Sequence, residues 1–239
     1  MTTLGIPRQL GHIWVGDRPA PVDWMQTWRD AHPDWTYTLY DNAYLMGRRW
    51  RNQPLINEYF KRHRFEGVSD LMRYEILLEH GGFLPEADSI CLHNCAELFD
   101  RPTTYSVFET YPKKKCKFSP YLAAPPDHPT LHLTVDVLHD RHATNPAALE
   151  QPWISVGNLF LRNLLEEYRP EVHIFPAYTF VPQHKDKPRY DGPGKVYADH
   201  LWGSTMDRYG VFPEPVRATL YAKVVAALAT RLSEVAHAS

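Results

Sequence analysis

The chain has 239 residues, 26 basic and 28 acidic side chains, and a formal net charge of -2. That length suits one large domain with a sizeable core, and the near-neutral balance gives no electrostatic case for nucleic acid, which needs a clustered basic face. Three cysteines, Cys91, Cys95 and Cys116, are too few and odd in number for a disulfide framework, so a reducing, cytoplasmic compartment is expected.

In chain order, Leu10 to Val15 reads as a strand, Trp24 to Ala31 as a helix and Thr36 to Tyr40 as a second strand. Helical spacing follows at Leu55 to Arg62 and Val68 to His80, then strands at Phe83-Leu84, Tyr105 to Glu109 and Tyr121 to Ala124. Pro129 to Arg141 and Leu159 to Tyr168 are predicted helices. Val181 to Lys195, rich in proline and glycine, is expected as a long loop that orders over a bound ligand. Residues 214–236 carry an apolar stripe through Val216, Leu220, Val224, Leu228 and Val235, a final helix that would pack on the core or on a second subunit of a homodimer. The alternation of strands and helices predicts an α/β sheet, and no repeat or low-complexity linker divides residues 1–239. No stretch approaches about 18 consecutive apolar residues, so no membrane span is expected, and the N-terminus lacks a signal-peptide pattern.

The segment from Val68 to Asp88 carries most of the chemistry. Val68, Leu71, Met72 and Ile76 recur at helical spacing, Ser69 can cap the helix, and Gly81-Gly82 supply a left-handed stop. Asp70 and Arg73 then share one helix edge. Glu86 and Asp88, two residues apart after a short strand, project from one side if the backbone stays extended. Paired carboxylates at a strand's C-terminal end suit a divalent ion on a diphosphate; solvated acids at a turn are the plainer alternative. Cys91-x-His93-x-Cys95 lacks zinc-site spacing, and His128, His132, His139 and His142 read as a solvated helix surface.

The order Ser-Asp-x-x-Arg-Tyr, Gly-Gly, short strand, acidic-x-Asp resembles the sugar-binding region of the D-x-D glycosyltransferases of family 32, and more distantly the glucosyltransferase domains of the large clostridial toxins. Ile6 to Gly16 resembles the family's opening strand, His32 to Asp41 its second strand, and Tyr197 to Ser204 its C-terminal His-Trp-Gly-Ser segment. Leu84-Pro85-Glu86-Ala87-Asp88 stands where the family has Tyr-Leu-Asp-x-Asp, and His200-Leu201-Trp202 where it has His-His-Trp.

The resemblance implies a GT-A-like single α/β domain with a Rossmann-like nucleotide-binding sheet flanked by helices. It also implies a metal-dependent, retaining hexosyl transfer from a UDP- or GDP-sugar to a hydroxyl acceptor such as a glycan, natural product or lipid-linked sugar. Ile13, Trp14, Ser69, Asp70, Arg73 and Glu86 are the implied donor-binding residues, with Trp14 stacked on the base. Asp88, His200 and Ser204 are the implied metal ligands. Asp88 and Asn158 are the implied catalytic residues, Asn158 donating to the leaving phosphate unless it caps a helix. Manganese suits an imidazole-containing shell better than magnesium does. Because both motifs are altered, the alternative is a catalytically inactive sugar-nucleotide- or glycan-binding homologue.

Overall fold

The computed structural model describes residues 5–109, 118–185, 187–203, 205–206 and 209. In chain order the elements are β1 (Gln9–Ile13), α1 (Val22–Ala31), β2 (Thr36–Tyr40), α2 (Asn42–Met46), α3 (Gln53–Lys61), α4 (Phe65–His80), β3 (Gly82–Leu84), β4 (Ser89–Cys91), β5 (Thr104–Phe108), β6 (Phe118–Ala124), α5 (Pro129–His142), α6 (Pro152–Ser155), α7 (Asn158–Tyr168), β7 (Val172–Phe175) and β8 (Ala198–His200). The expected strands and helices are present, with ends shifted by a few residues. The short elements α2, β4, α6, β7 and β8 carry too little periodicity to be read from sequence. The expected helix at 214–236, Cys116 and Ser204 lie outside the described residues.

Six strands form one mixed sheet in the order β2-β1-β3-β6-β5-β7. β1 pairs in parallel with β2 and β3, as a crossover through α1 allows. β6 runs antiparallel to both β3 and β5, so β5 points the same way as β1 and β3. The C-terminal ends of β1, β3 and β5 therefore share one edge, where open α/β sheets bind ligands.

Alternation along the strands builds an apolar core on each face. Leu84, Leu122 and Ala124 face a cluster with Leu71, Met72 and Leu138, while Phe83, Tyr121 and Ala123 face a second with Trp28, Phe99 and Phe180. α4 lies deep in the first layer, with Asp70, Arg73 and Glu75 buried among its apolar residues. Glu75 accepts the backbone N–H groups of Arg51 and Asn52 at 2.7 and 2.9 Å, placing a carboxylate at the positive end of α3. α4 ends at Gly81 and Gly82, both at positive φ as expected. It begins at Phe65, so Ser69 lies a turn inside the helix and does not cap it.

Outside the main sheet, β4 and β8 pair antiparallel with Ser89 opposite His200. α1 holds this ribbon: Thr27 Oγ1 accepts the N–H of Cys91 at 2.8 Å, and Trp28 Nε1 donates to Ser89 Oγ at 3.1 Å.

His12, in the middle of β1, is fully buried; its Nδ1 lies 3.1 Å from the Tyr37 hydroxyl and its Nε2 has no partner among the described residues. Burial, helped by the nearby Arg73 charge, lowers its pKa from 6.5 to about 3. Between those values the unfolded imidazole is protonated and the folded one is not, so stability falls as pH drops through that window. His12→Phe should flatten the decline by one proton's worth, about 1.4 kcal/mol per pH unit. Urea denaturation of both proteins at pH 7, 6 and 5 measures it; parallel profiles would show that His12 is not the acid-labile group.

Candidate active site

A cleft of about 640 Å³ opens at the shared strand edge. Three strands deliver its polar groups: Trp14 follows β1, Glu86 and Asp88 follow β3, and Glu109 follows β5. Ile13, Ser69, Asp70, Arg73, Asn158 and His200 complete the set of sequence-predicted residues that line it.

Trp14 is held by its N–H on Tyr40 O at 3.0 Å and by its indole N–H on Arg18 O at 2.6 Å. Just beyond it, the Asn42 side chain clamps Gly16 with two bonds of 2.8 Å, one to the N–H and one from the amide to the carbonyl. The loop after β1 is thereby fixed with the Trp14 ring half exposed to the cleft. Ile13 lines the cleft from within the core.

Asp70 and Arg73 share the helix edge, but the guanidinium reaches forward rather than along the helix. Its Nη1 donates to Leu84 O at 2.9 Å and its Nη2 lies 2.7 Å from Glu86 Oε1. The buried Arg73 Nε has no hydrogen-bond partner among the described residues. Burial, only partly offset by Arg73, pushes the Asp70 carboxyl up to about 8. The carboxyl is thus far easier to protonate than a free aspartate, and in its protonated form it donates as well as accepts a hydrogen bond. Gly157 closes over it: a Cβ there would lie 2.6 Å from Asp70 Oδ2.

Glu86, Asp88 and His200 bring one ligand atom each within 4.8 Å of one another, a grouping of the kind that holds a cation. The β4–β8 pairing creates it by bringing His200 beside Asp88, with His200 Nε2 3.4 Å from Asp88 Oδ1. Asp88 Oδ2 accepts the Gly203 N–H at 2.9 Å, and the Asp88 carbonyl accepts the Leu201 N–H at 2.8 Å. Trp202 adopts a φ of 55° and turns its N–H onto His200 Nδ1 at 3.1 Å, so Nε2 is the atom that faces Asp88. Burial raises the Glu86 carboxyl above its ordinary range, against the lowering effect of Arg73.

Asn158 is the first residue of α7, not its cap, and its amide donates to Glu109 Oε2 at 2.7 Å. Glu109 Oε1 lies 3.2 Å from His184 Nε2, and the His184 ring meets Trp202 edge to face at 4.8 Å. The described residues of the 181–195 segment, His184 among them, make several surface contacts. Tyr178 and Tyr190 stack at 4.2 Å, Arg189 pairs with Asp199 at 2.6 Å, and Lys195 pairs with Glu97 at 2.7 Å.

Sequence reading missed Glu109, Trp153 and Tyr209. Glu109 alone had a signal, an acidic residue ending a predicted strand. Tyr209 packs edge on to Trp14 at 5.1 Å, and its hydroxyl bonds the Asp88 carboxylate; burial and the acids Asp88 and Glu86 hold the phenol well above its usual range.

Residues 21–105 match the model of the glycosyltransferase sugar-binding region containing the DXD motif. Among solved structures, the chain is similar to the PaToxG glycosyltransferase, with a TM-score of 0.57 and 12% identity over 68% of this chain and 70% of that one. It also aligns with the UDP-bound glycosyltransferase domain from the YGT toxin, at a TM-score of 0.41 and 10% identity over 97% and 78% of the two chains. No curated protein matches it. The architecture is that of a GT-A-type α/β fold, as the likeness to PaToxG shows, and residues 21–105 within it are similar to the DXD sugar-binding region. Among the described residues no helix is long and apolar enough to cross a membrane.

Proposed function

We propose that this chain transfers a hexose from a UDP- or GDP-sugar to a hydroxyl acceptor, using a divalent cation and retaining the anomeric configuration. The convergence of Glu86, Asp88 and His200 beside Arg73 carries the reading. The donor set fits a cation: a buried carboxylate and an imidazole face each other across 3.4 Å, with neighbouring N–H groups orienting both. Glu86 is already paired with Arg73, which leaves Asp88 and His200 as the direct ligands and Glu86 free to receive sugar or ribose hydroxyls. Manganese is preferred over magnesium because nitrogen ligands suit transition ions better. When bound, the cation neutralises charge developing on the departing diphosphate.

The residues divide the remaining work. Trp14 stacks on the base, an interaction worth about 1–3 kcal/mol. Asp70 exchanges hydrogen bonds with sugar hydroxyls, and Arg73 lines the cleft beside it, donating toward the donor. In the transfer, the bond from the anomeric carbon to the diphosphate oxygen breaks and a bond to the acceptor oxygen forms on the same face. The acceptor proton passes to the departing diphosphate oxygen. Asn158 gives one amide N–H to Glu109 and keeps the other to donate to the leaving phosphate.

Proton NMR of donor hydrolysis tests this reading. With manganese and UDP-glucose or GDP-mannose, one donor should be consumed and the first free sugar released should keep the donor's anomeric configuration. Inverted product would exclude retention, and no consumption of any UDP- or GDP-sugar, with or without metal, would leave the inactive binding homologue. Trp14→Ala should weaken binding of both the intact donor and the free nucleoside diphosphate by roughly tenfold or more; calorimetry showing unchanged affinity would remove Trp14 from the base site.

A further inference from the structure

We propose that the cleft wall formed by Glu109, Asn158 and Trp153 is a carbohydrate-acceptor site, with Glu109 accepting hydrogen bonds from vicinal hydroxyls and Trp153 stacking on the apolar face of a sugar ring. The inference rests on the donor reading above and names the acceptor class for the same cleft.

Glu109 has the position and the chemistry for it. It follows β5 at the strand edge where β1 and β3 deliver the donor residues, and its side chain keeps 13% exposure. Each carboxylate oxygen faces one protein donor, Asn158 at 2.7 Å and His184 at 3.2 Å. An ionised carboxylate offers about four lone-pair sites, so two remain for ligand hydroxyls. The two clamps fix its orientation and forbid an alternative rotamer without breaking both contacts. A polyol presents adjacent hydroxyl donors that a fixed carboxylate can accept together.

Trp153 supplies the second surface. It is 43% exposed although indole is among the largest apolar groups, and it stands on the cleft wall in α6. Its helix leads through Gly157, which lies against Asp70 Oδ2, to Asn158, which holds Glu109. One short corner of chain thus joins the donor carboxyl Asp70, the indole and the Glu109 clamp. On the other side the contacts run from Glu109 through His184 and Trp202 to His200, whose ring is 4.3 Å from that of Trp202. A sugar seated on Trp153 and Glu109 is held between two walls that also carry the donor residues. Sugar rings alternate hydroxyl edges with C–H faces, and a fixed acceptor beside a half-exposed indole matches that pattern.

The test is saturation-transfer NMR on the full chain with magnesium and UDP. The probes are neutral methyl glucoside, galactoside and mannoside, set against serine-, threonine- and tyrosine-containing peptides. At least one glycoside should receive saturation at its C–H protons, with binding about tenfold weaker in Trp153→Ala and in Glu109→Ala. Trp153→Phe should recover most of it, and Glu109→Gln, which keeps the shape, should fall between. Calorimetry with UDP on Trp153→Ala should give an affinity within about threefold of wild type, since Trp153 does not belong to the donor set. No glycoside bound by the wild type, equal binding by the variants, or peptides engaging the same two residues in place of sugars would each overturn the proposal. Trp153-dependent glycoside binding without UDP binding would instead sink the donor reading and leave the carbohydrate site standing.

Discussion

Asp88→Asn should abolish manganese-dependent donor binding and leave the fold intact. The amide oxygen can still accept the Gly203 N–H, and the backbone contact from Leu201 is untouched, so the ribbon of β4 and β8 keeps its anchors. The charge facing His200 is lost, however, and a neutral ligand in its place removes the group that the cation needs most. Removing even an outer partner of a metal ligand costs roughly 10–100-fold in affinity, and losing the ligand's charge should exceed that. Glu86→Ala should cost less, because Glu86 is committed to Arg73. Manganese titration followed by electron paramagnetic resonance, with UDP present, reads the difference. Equal manganese affinity in wild type and Asp88→Asn would remove the basis for the metal assignment.

Arg73→Ala should be the most damaging single change to stability at the site. Its guanidinium joins the Leu84 carbonyl to Glu86, and its removal leaves a buried carboxylate facing Asp70 and Asp88 with no cation. Breaking a buried pair from one side costs about 3–5 kcal/mol. The paired replacement Arg73→Met with Glu86→Leu should restore most of the melting temperature, because both charges leave together. It should not restore affinity for the intact sugar nucleotide, which separates the structural part of the pair from the donor-binding part. A double variant that recovers both, measured by thermal unfolding and calorimetry, would refute the view that this pair touches the donor.

The local part of this site was legible in the sequence because its residues lie on one continuous stretch. Periodicity through Val68, Leu71, Met72 and Ile76 set the helix and Gly81-Gly82 ended it; Glu86 and Asp88 do come together, but across a turn at Ala87 and Asp88 and not along an extended strand. One expectation failed for a local reason: the helix starts at Phe65, so Ser69 cannot cap it. Arg73, on the same helix edge as Asp70, reaches across to Glu86.

What sequence could not supply was long-range pairing. His200 reaches Asp88 through two strands of three residues each, too short to show a period of two. Glu109 reaches Asn158 because β5 is parallel to β3 through the intervening β6, a topological fact that no local pattern encodes. Composition marks the 181–195 segment as turns, but not the tyrosine stack and ion pairs that its described residues make.

The most direct test of the account is anomalous diffraction from crystals grown with manganese and a nucleoside diphosphate. The account predicts a manganese peak between Asp88 and His200, the diphosphate on that ion, and the base against Trp14 with Tyr209 moved from the Asp88 carboxylate. A manganese peak elsewhere, or a diphosphate bound away from Asp88 and Arg73, would contradict it.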